Sequence, residues 1–364
     1  MREAAWTRIA SCGTALTLAA LMVFAGPARA DAISDVLTAK GPDRQKMLEE
    51  GARKEGSLMF YSALTVDQGL RAEVNAFAKK YPFIKTEFWR GTEIQISQKV
   101  LAEQRANNVQ VDVVESVGVA GTLSRANALL PFESPYAEAI PERYQDKTKL
   151  SAASRLNFFG IAYNTKLVPP GTQPKTYDDL LDPKWKGKLA WREDSVSGAI
   201  LFITNLLMTR GEPATEAYLK KLVGQNIVSF NGSARTLVNR VIEGEYLIGL
   251  NIFLHHPVIS ATEGAPAGAQ GMEPVPSVAG TLVIPKGLKH PHAAMLFLDF
   301  FISKEGQEVM RDAQYFPVID SVKPLKQLEP ITPALVNMKE NYISDQALLD
   351  NKRKAEALYK EYFR

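Results

Sequence analysis

Apolar residues along this chain fall into two rhythms. Short apolar runs read as strands, and stretches whose apolar residues recur every three or four positions read as helices. Residues 57–62 (SLMFYS), 85–89 and 111–115 are of the first kind. Residues 66–81 are of the second, with Leu70, Val74, Phe77 and Ala78 on one face. A second helix, 93–106, follows the turn Arg90-Gly91-Thr92. The run at 111–115 is nearly all apolar, as suits a parallel strand covered on both faces. A polar helical stretch at 32–54 precedes this block. Strand, loop and helix in repetition predict a mostly parallel sheet flanked by helices.

A second block of the same kind begins near Asn157. Strands are expected at 158–163, 189–191, 227–230 and 246–250, and helices at 178–181, 199–209 and 234–243. Residues 264–280 are rich in Gly, Pro and Ala and predict a loop crossing between two lobes. A strand at 281–284 and helices at 291–301 and 305–312 follow. The charged amphipathic stretch 345–362 predicts a helix docked on the outside of the second lobe. No internal repeat is present. The class is α/β, and the length suggests two lobes.

The first 30 residues change the picture. Arg2 and Arg8 precede an apolar run at 15–25, and Ala28-Arg29-Ala30 forms a small-x-small site before Asp31. This is the pattern of a secretory signal peptide cleaved after Ala30, and it predicts a periplasmic protein. Ile9-Ala10-Ser11-Cys12 loosely fits a lipoprotein box, but it precedes the apolar run instead of closing it. Cys12 is the single cysteine, so the mature chain has no disulfide and no thiolate. Removing 1–30 takes away three basic residues and one acidic residue. That leaves 40 against 39, a net charge of +1. Such a balance gives no nucleic-acid footprint. Residues 294–302 (AMLFLDFFI) are too short to span a bilayer and carry Asp299, so they read as a buried helix.

A series of short motifs runs through the mature chain. Phe60-Tyr61-Ser62, Asp112-Val113-Val114 and Gly160-Ile161-Ala162-Tyr163-Asn164 come first. Trp185-Lys186-Gly187-Lys188-Leu189, Glu243-Gly244-Glu245, Pro285-Lys286-Gly287, His290-Pro291-His292-Ala293-Ala294 and Glu305-Gly306-Gln307 follow. In this order they resemble the extracytoplasmic solute-binding proteins of ABC importers. More narrowly, the chain is similar to the branch named for ferric-iron binding, whose relatives also take phosphonates, sugar phosphates and other small anions. The resemblance implies the type 2 periplasmic-binding-protein fold, in which two α/β lobes are joined by a two-stranded hinge. Ligand sits in the cleft between them, and closure presents a surface to the permease. It implies a first lobe of 31–154 plus 281–325 and a second of 155–280 plus 326–364. The chain would cross near 153–157 and 276–282.

Ligands of parallel α/β sheets bind at the carboxyl ends of strands, beside helix N-termini. That rule selects the loops 62–65, 90–92, 115–117, 192–197 and 231–235, and then 251–256. Asn231-Gly232-Ser233-Ala234-Arg235 is the most specific. Ser233 suits a helix cap, Gly232 lets backbone approach an anion, and free N–H groups favour carboxylate or phosphate. Arg90, Arg192 and Arg235 can grip an oxyanion in bidentate fashion. Ser62, Thr65, Thr92, Ser195 and Ser197 offer hydroxyls, although caps and turns use the same residues. Asn251 and Phe253 complete the set. Tyr61, Trp89 and Trp191 are further aromatics at or next to these loops.

Ferric-binding members of the branch use two adjacent tyrosines, an acidic residue after the third strand and often a first-loop histidine. Glu115 matches the acidic position. Leu64 or Thr65 stands at the histidine position, and the tyrosine pair falls within Ile252-Phe253-Leu254. Glu115 alone cannot replace two phenolates, so no metal ligands and no cofactor are expected. Adjacent histidines on a helix point about 100° apart, so His255-His256 is not expected to share an ion. His290 and His292 read as surface. The leading reading is a monomeric binding component that captures a small anionic organic solute and delivers it to an ABC permease, without catalysis. The alternative is ferric iron carried through an exogenous chelating anion. A secreted hydrolase is a third reading, and the chain carries neither a Gly-x-Ser-x-Gly elbow nor a His-Glu-x-x-His helix.

Overall fold

The structure, a computed structural model, describes residues 27–193 and 197–364. Ser195, Cys12 and the charged and apolar parts of the expected signal segment lie outside the described residues. The expected cleavage point after Ala30 falls within the first helix, α1 (Pro27–Leu37), which is followed by α2 (Arg44–Glu55). The first α/β block is β1 (Ser57–Ser62), α3 (Arg71–Lys80), β2 (Lys85–Arg90), α4 (Glu93–Arg105), β3 (Val113–Val117), α5 (Val119–Arg125) and the two-residue β4 (Leu129–Leu130). A single wide helical turn, Val66–Leu70, leads into α3. The second block is β5 (Ala152–Asn164), β6 (Leu189–Arg192), α6 (Ala199–Arg210), α7 (Glu212–Leu222), β7 (Val228–Phe230), α8 (Ala234–Glu243), β8 (Ile248–Phe253), α9 (His255–Thr262) and β9 (Ala267–Gly271). The chain ends with β10 (Val275–Pro285), α10 (Pro291–Ile302), α11 (Lys304–Asp312), β11 (Glu340–Tyr342) and α12 (Asp345–Phe363).

In the first block β2, β1 and β3 pair in parallel. In the second, β8, β6 and β7 do the same. Between them lie β10 and β5, antiparallel to each other and to their neighbours β3 and β8. Hydrogen bonding therefore runs as one path, β2-β1-β3-β10-β5-β8-β6-β7, instead of the two separate sheets that the sequence suggests. The cause is length. β5 has 13 residues and β10 has 11, enough for each to pair in both lobes.

The apolar packing is divided where the hydrogen bonding is not. In the first lobe Phe60 and Phe77 meet Phe297 of α10 at centroid distances of 4.7 and 5.0 Å. Val100, Val114 and Leu123 fill the opposite face of that sheet. In the second lobe Trp191 packs on Phe202, Tyr359 and Phe363. Leu237, Val238 and Ile252 cover the other side. Each ring withdrawn fully from water contributes roughly 1.5–3 kcal/mol. The crossing strands β5 and β10 are buried along their whole length.

Two expectations are corrected here. Residues 264–280 are not a loop, because β9 pairs with β5 and β10 begins at Val275. The helix α12 packs on α6 and α7, but it also touches α5 of the first lobe, where Leu349 fills the space beside Gly121. It bridges the lobes instead of docking on one of them. No described helix is long and apolar enough to cross a membrane.

Candidate functional site

The site grows from Ser62 at the carboxyl end of β1 and Glu115 midway along β3. Ser62 and Glu115 both point to the side of the sheet that carries α10, and both are buried. Ser62 Oγ donates to Glu115 Oε2 at 2.8 Å and accepts from the Leu64 amide at 3.0 Å. Glu115 Oε1 accepts from Ser154 Oγ at 3.1 Å and lies 3.1 Å from Arg155 Nη2. The ion pair spans from β3 to β5 over the intervening strand β10. It can do so because Gly280 of β10 has no side chain there. Asn157 Oδ1 accepts from Arg155 Nη1, and Asn157 Nδ2 donates to the Val278 carbonyl at 3.2 Å. Glu115 is thus a satisfied buried carboxylate, and Arg155 is a cation fixed where the chain crosses between lobes. Arg155 Nε is left without a hydrogen-bond partner among the described residues.

The Arg155 guanidinium carbon lies 5.2 Å from the centre of the Tyr315 ring. Tyr315 accepts from the Thr65 amide at 3.4 Å, and its other neighbour is His255, ring to ring at 5.1 Å. His255 and His256 open α9, and their rings meet edge to face at 4.5 Å. Phe253 packs beside both rings, at 5.7 and 5.2 Å, and on Phe159 at 4.5 Å. Both imidazoles are buried. Neither nitrogen of His255 has a partner among the described residues, nor does His256 Nδ1. Burial pushes His255 well below the ordinary imidazole value, reinforced by His256, Arg155 and Arg235. Burial, with Arg235, Arg155 and Arg192, pushes His256 down to about 3. The charges of Arg155, Arg192 and Arg235, from three different elements, thus all oppose protonation of this imidazole pair.

Arg235 is partly buried and donates to the His256 carbonyl at 3.0 Å. Ser233 caps α8, accepting from the Thr236 amide at 3.0 Å, and is exposed. Arg192 donates to the Gly232 carbonyl at 2.9 Å and to Ser197 Oγ at 2.8 Å, tying the loop after β6 to the loop before α8. Asn251 is buried in a left-handed conformation, φ 51°, and donates to the carbonyls of Ser197 at 3.3 Å and Gly198 at 3.0 Å. It braces the Arg192 loop from behind.

Other candidates stand apart. Arg90 and Thr92 are exposed, and Thr92 forms a capping box with Gln95 at the start of α4. Thr65 is exposed and contributes its backbone to the turn before α3. Tyr61 packs on Trp89 at 5.3 Å against the core under α4, and Trp191 is fully buried. Of the four aromatics, Phe253 alone touches the histidine pair. His290 and His292, expected on the surface, are instead partly buried anchors of α10, paired with Asp112 and Glu55.

Two residues at the lobe junction lie outside the sequence-level candidates. Glu93, at the start of α4, is partly buried, and burial raises its carboxyl to about 7 against the opposing pull of Lys352 and Arg192. Burial likewise raises Asp345 of α12 to about 7, against a hydrogen bond from Thr281 at 3.3 Å. Arg155 also escapes the strand-end rule, and the histidine pair, although inside the selected stretch 251–256, enters the sequence reading only as a candidate metal site. Arg155 lies within a strand, and the burial of the histidines depends on Tyr315, some sixty residues further on.

At the tyrosine-pair position the structure has Ile252 and Leu254 in the core and Phe253 stacked on Phe159. Among the described residues no group of three or more His, Cys, Asp or Glu is arranged to hold a metal ion. What the cluster offers is cation charge, imidazole nitrogens and an aromatic wall between two lobes.

A two-lobed α/β architecture with polar groups gathered between the lobes defines a solute-binding class. The family model for bacterial extracellular solute-binding proteins matches residues 72–335, and the chain belongs to that family. It is similar to the Fe(3+)-binding periplasmic protein of Serratia marcescens, 24% identical over 283 residues, which span 73% of this chain and 80% of the relative. It is 26% identical over 234 residues to a putative 2-aminoethylphosphonate-binding periplasmic protein of Salmonella typhi, spanning 62% of this chain and 67% of the relative. Among solved structures, the periplasmic binding protein AfuA of Actinobacillus pleuropneumoniae, with exogenous fructose-6-phosphate bound, superposes with a TM-score of 0.74 at 26% identity. That match covers 85% of this chain and 98% of the other.

Proposed function

We propose that this protein captures a small anionic organic solute, a carboxylate, phosphonate or phosphate ester, between its lobes and delivers it to an ABC permease. It works as a periplasmic monomer after cleavage behind Ala30. Lobe 1 is 31–154 plus 281–325, lobe 2 is 155–280 plus 326–364, and β5 and β10 form the hinge. The observation that carries the anion reading is the placing of two guanidinium groups beside His255 and His256, Arg235 bonded to the His256 carbonyl and Arg155 set over the Tyr315 ring that packs on His255. Arg155 is itself ion-paired with the buried carboxylate of Glu115. The similarity to binding proteins for a phosphonate and a sugar phosphate supports the same class.

A second reading, ferric iron carried with a chelating anion, is favoured by the likeness to the Serratia protein. The two readings part in native mass spectrometry of freshly purified protein. A retained organic anion supports the first, and an adduct containing iron supports the second. Retention of a neutral or cationic solute would overturn both. Titration with ferric iron in the absence of added anion should give no phenolate-to-iron absorption band, because Ile252-Phe253-Leu254 supplies no phenolate.

A further inference from the structure

Buried polar atoms in a folded protein nearly always have hydrogen-bond partners, and one left without a partner costs free energy until something supplies it. The largest group of such atoms among the described residues is formed by Arg155 Nε, both ring nitrogens of His255 and Nδ1 of His256. All three side chains are buried, His255 to 1% exposure. An arginine Nε–H only donates. A neutral imidazole offers one donor and one acceptor lone pair, whichever nitrogen carries the proton. Burial holds both rings in the neutral form. The His255 lone pair therefore calls for a proton donor, and a fully ionised oxyanion has none to give. We propose that His255 is a specificity-determining contact for a solute that carries a hydroxyl group beside its anionic group. The hydroxyl donates to the His255 lone pair, while solute oxygens accept from Arg155 Nε and from the imidazole N–H. This rests on the anion reading above and narrows it to hydroxylated anions.

The neighbours of His255 leave its nitrogens to an incoming molecule. Phe253, Tyr315 and Phe316 present rings at 5.7, 5.1 and 6.0 Å. The Tyr315 hydroxyl is engaged by the Thr65 amide at 3.4 Å. Arg155 gives Nη1 to Asn157 and Nη2 to Glu115, so Nε is the donor it has left. Arg235 holds the His256 carbonyl at 3.0 Å and so fixes the turn of α9 from which both rings project. A solute ammonium could also donate to the lone pair, but the positive charges of Arg155 and Arg235, which already oppose a charged imidazole here, oppose it as well. A hydroxyl meets no such repulsion. A solute without it leaves the His255 lone pair buried and bare, and a site built to bond a hydroxyl discriminates strongly against an analogue that lacks one.

The test is calorimetric titration of the purified whole protein, freed of retained solute, with matched anions that differ by one hydroxyl. The pairs are glycerol 3-phosphate and propyl phosphate, 2-hydroxyethylphosphonate and ethylphosphonate, and malate and succinate. In the pair that binds, the hydroxylated member should bind at least about tenfold more tightly than its partner. In His255→Phe, which keeps a ring and removes both nitrogens, that preference should disappear. His255→Gln keeps one donor and one acceptor and should retain most of it. A role in structure alone would weaken both members alike and leave their ratio intact, so a preference that survives in His255→Phe overturns the assignment to His255. Equal affinities within a pair for the parent overturn the inference and spare the anion reading, with ordered water then the partner of the imidazoles. Should His255→Phe fail to fold, the ratios in the parent and in His255→Gln decide, and loss of the preference in a folded His255→Gln counts against the donor and acceptor roles. If no anion binds, the anion reading fails first and the inference with it.

Discussion

A Cβ on Gly280 would lie 2.6 Å from Glu115 Oε1 and 2.9 Å from Ser154 Oγ. The missing side chain is what lets a buried ion pair pass over β10. Gly280→Ala should therefore cost about 1–3 kcal/mol, through overpacking of a site with no slack, read as a lower urea midpoint. An unchanged midpoint would show that Glu115 can move aside freely. Glu115→Ala should cost more, about 3–5 kcal/mol, because it strands Arg155 as an uncompensated buried cation. Glu115→Leu with Arg155→Met should recover most of that stability and none of the anion binding. Ser62 and Glu115 are legible in the sequence because each closes an apolar run, although β3 continues past Glu115 to Val117. Arg155 is not, since it lies inside a fully buried strand instead of at its end, and its partners come from β3 and β5 itself. Nor are the histidines, because adjacency on a helix says nothing of what closes over them.

The N-terminus of α10 is held by two carboxylates from other elements. Asp112 accepts from the amides of Lys289 at 3.1 Å and His290 at 3.0 Å, and lies 2.9 Å from His290 Nδ1. Glu55 accepts from the amides of His292 at 3.1 Å and Ala293 at 2.9 Å. The hydrogen bond to Asp112 raises the His290 imidazole above its ordinary value, against the opposing effect of burial. The folded state thus binds this proton more tightly than the unfolded chain does. The resulting stability is full below the unfolded value of about 6.5, and is lost as pH rises through the higher folded value. The stability difference between the parent and His290→Gln should therefore shrink as pH rises from about 6 upward, measured by denaturation at each pH. A constant or growing difference would contradict this coupling. Elements such as α8, with its Ser233 cap and its terminating Gly244, follow from local signals and match the sequence reading. β10 does not, because Pro276 and Gly280 interrupt its sequence before Thr281 while its strand character comes from pairing on both sides.

Over the whole molecule, two long strands and α12 join the lobes, and charged groups meet at their boundary. Glu93 from the first lobe faces Arg192 from the second and Lys352 from α12. Burial holds both Glu93 and Asp345 at about 7, above the ordinary carboxylate range. A raised carboxyl favours the packed state below its free value of about 4, and that advantage fades as pH rises through about 7. The solute-free protein should accordingly be more compact at pH 5 than at pH 8 by small-angle X-ray scattering. Glu93→Gln with Asp345→Asn should remove most of the difference, whereas a radius independent of pH in the parent would rule out this role.

The central claim is an anion held by guanidinium groups between the lobes, and one calorimetric comparison addresses it directly. The parent and Arg235→Ala are titrated with a phosphate ester, a phosphonate, a carboxylate and the uncharged counterpart of whichever anion binds. Loss of one desolvated charged contact costs about 2–5 kcal/mol, so the variant should bind at least about 30-fold more weakly, and the uncharged analogue should fail to bind. An uncharged analogue bound as tightly as the anion, with Arg235→Ala indistinguishable from the parent, would contradict the account.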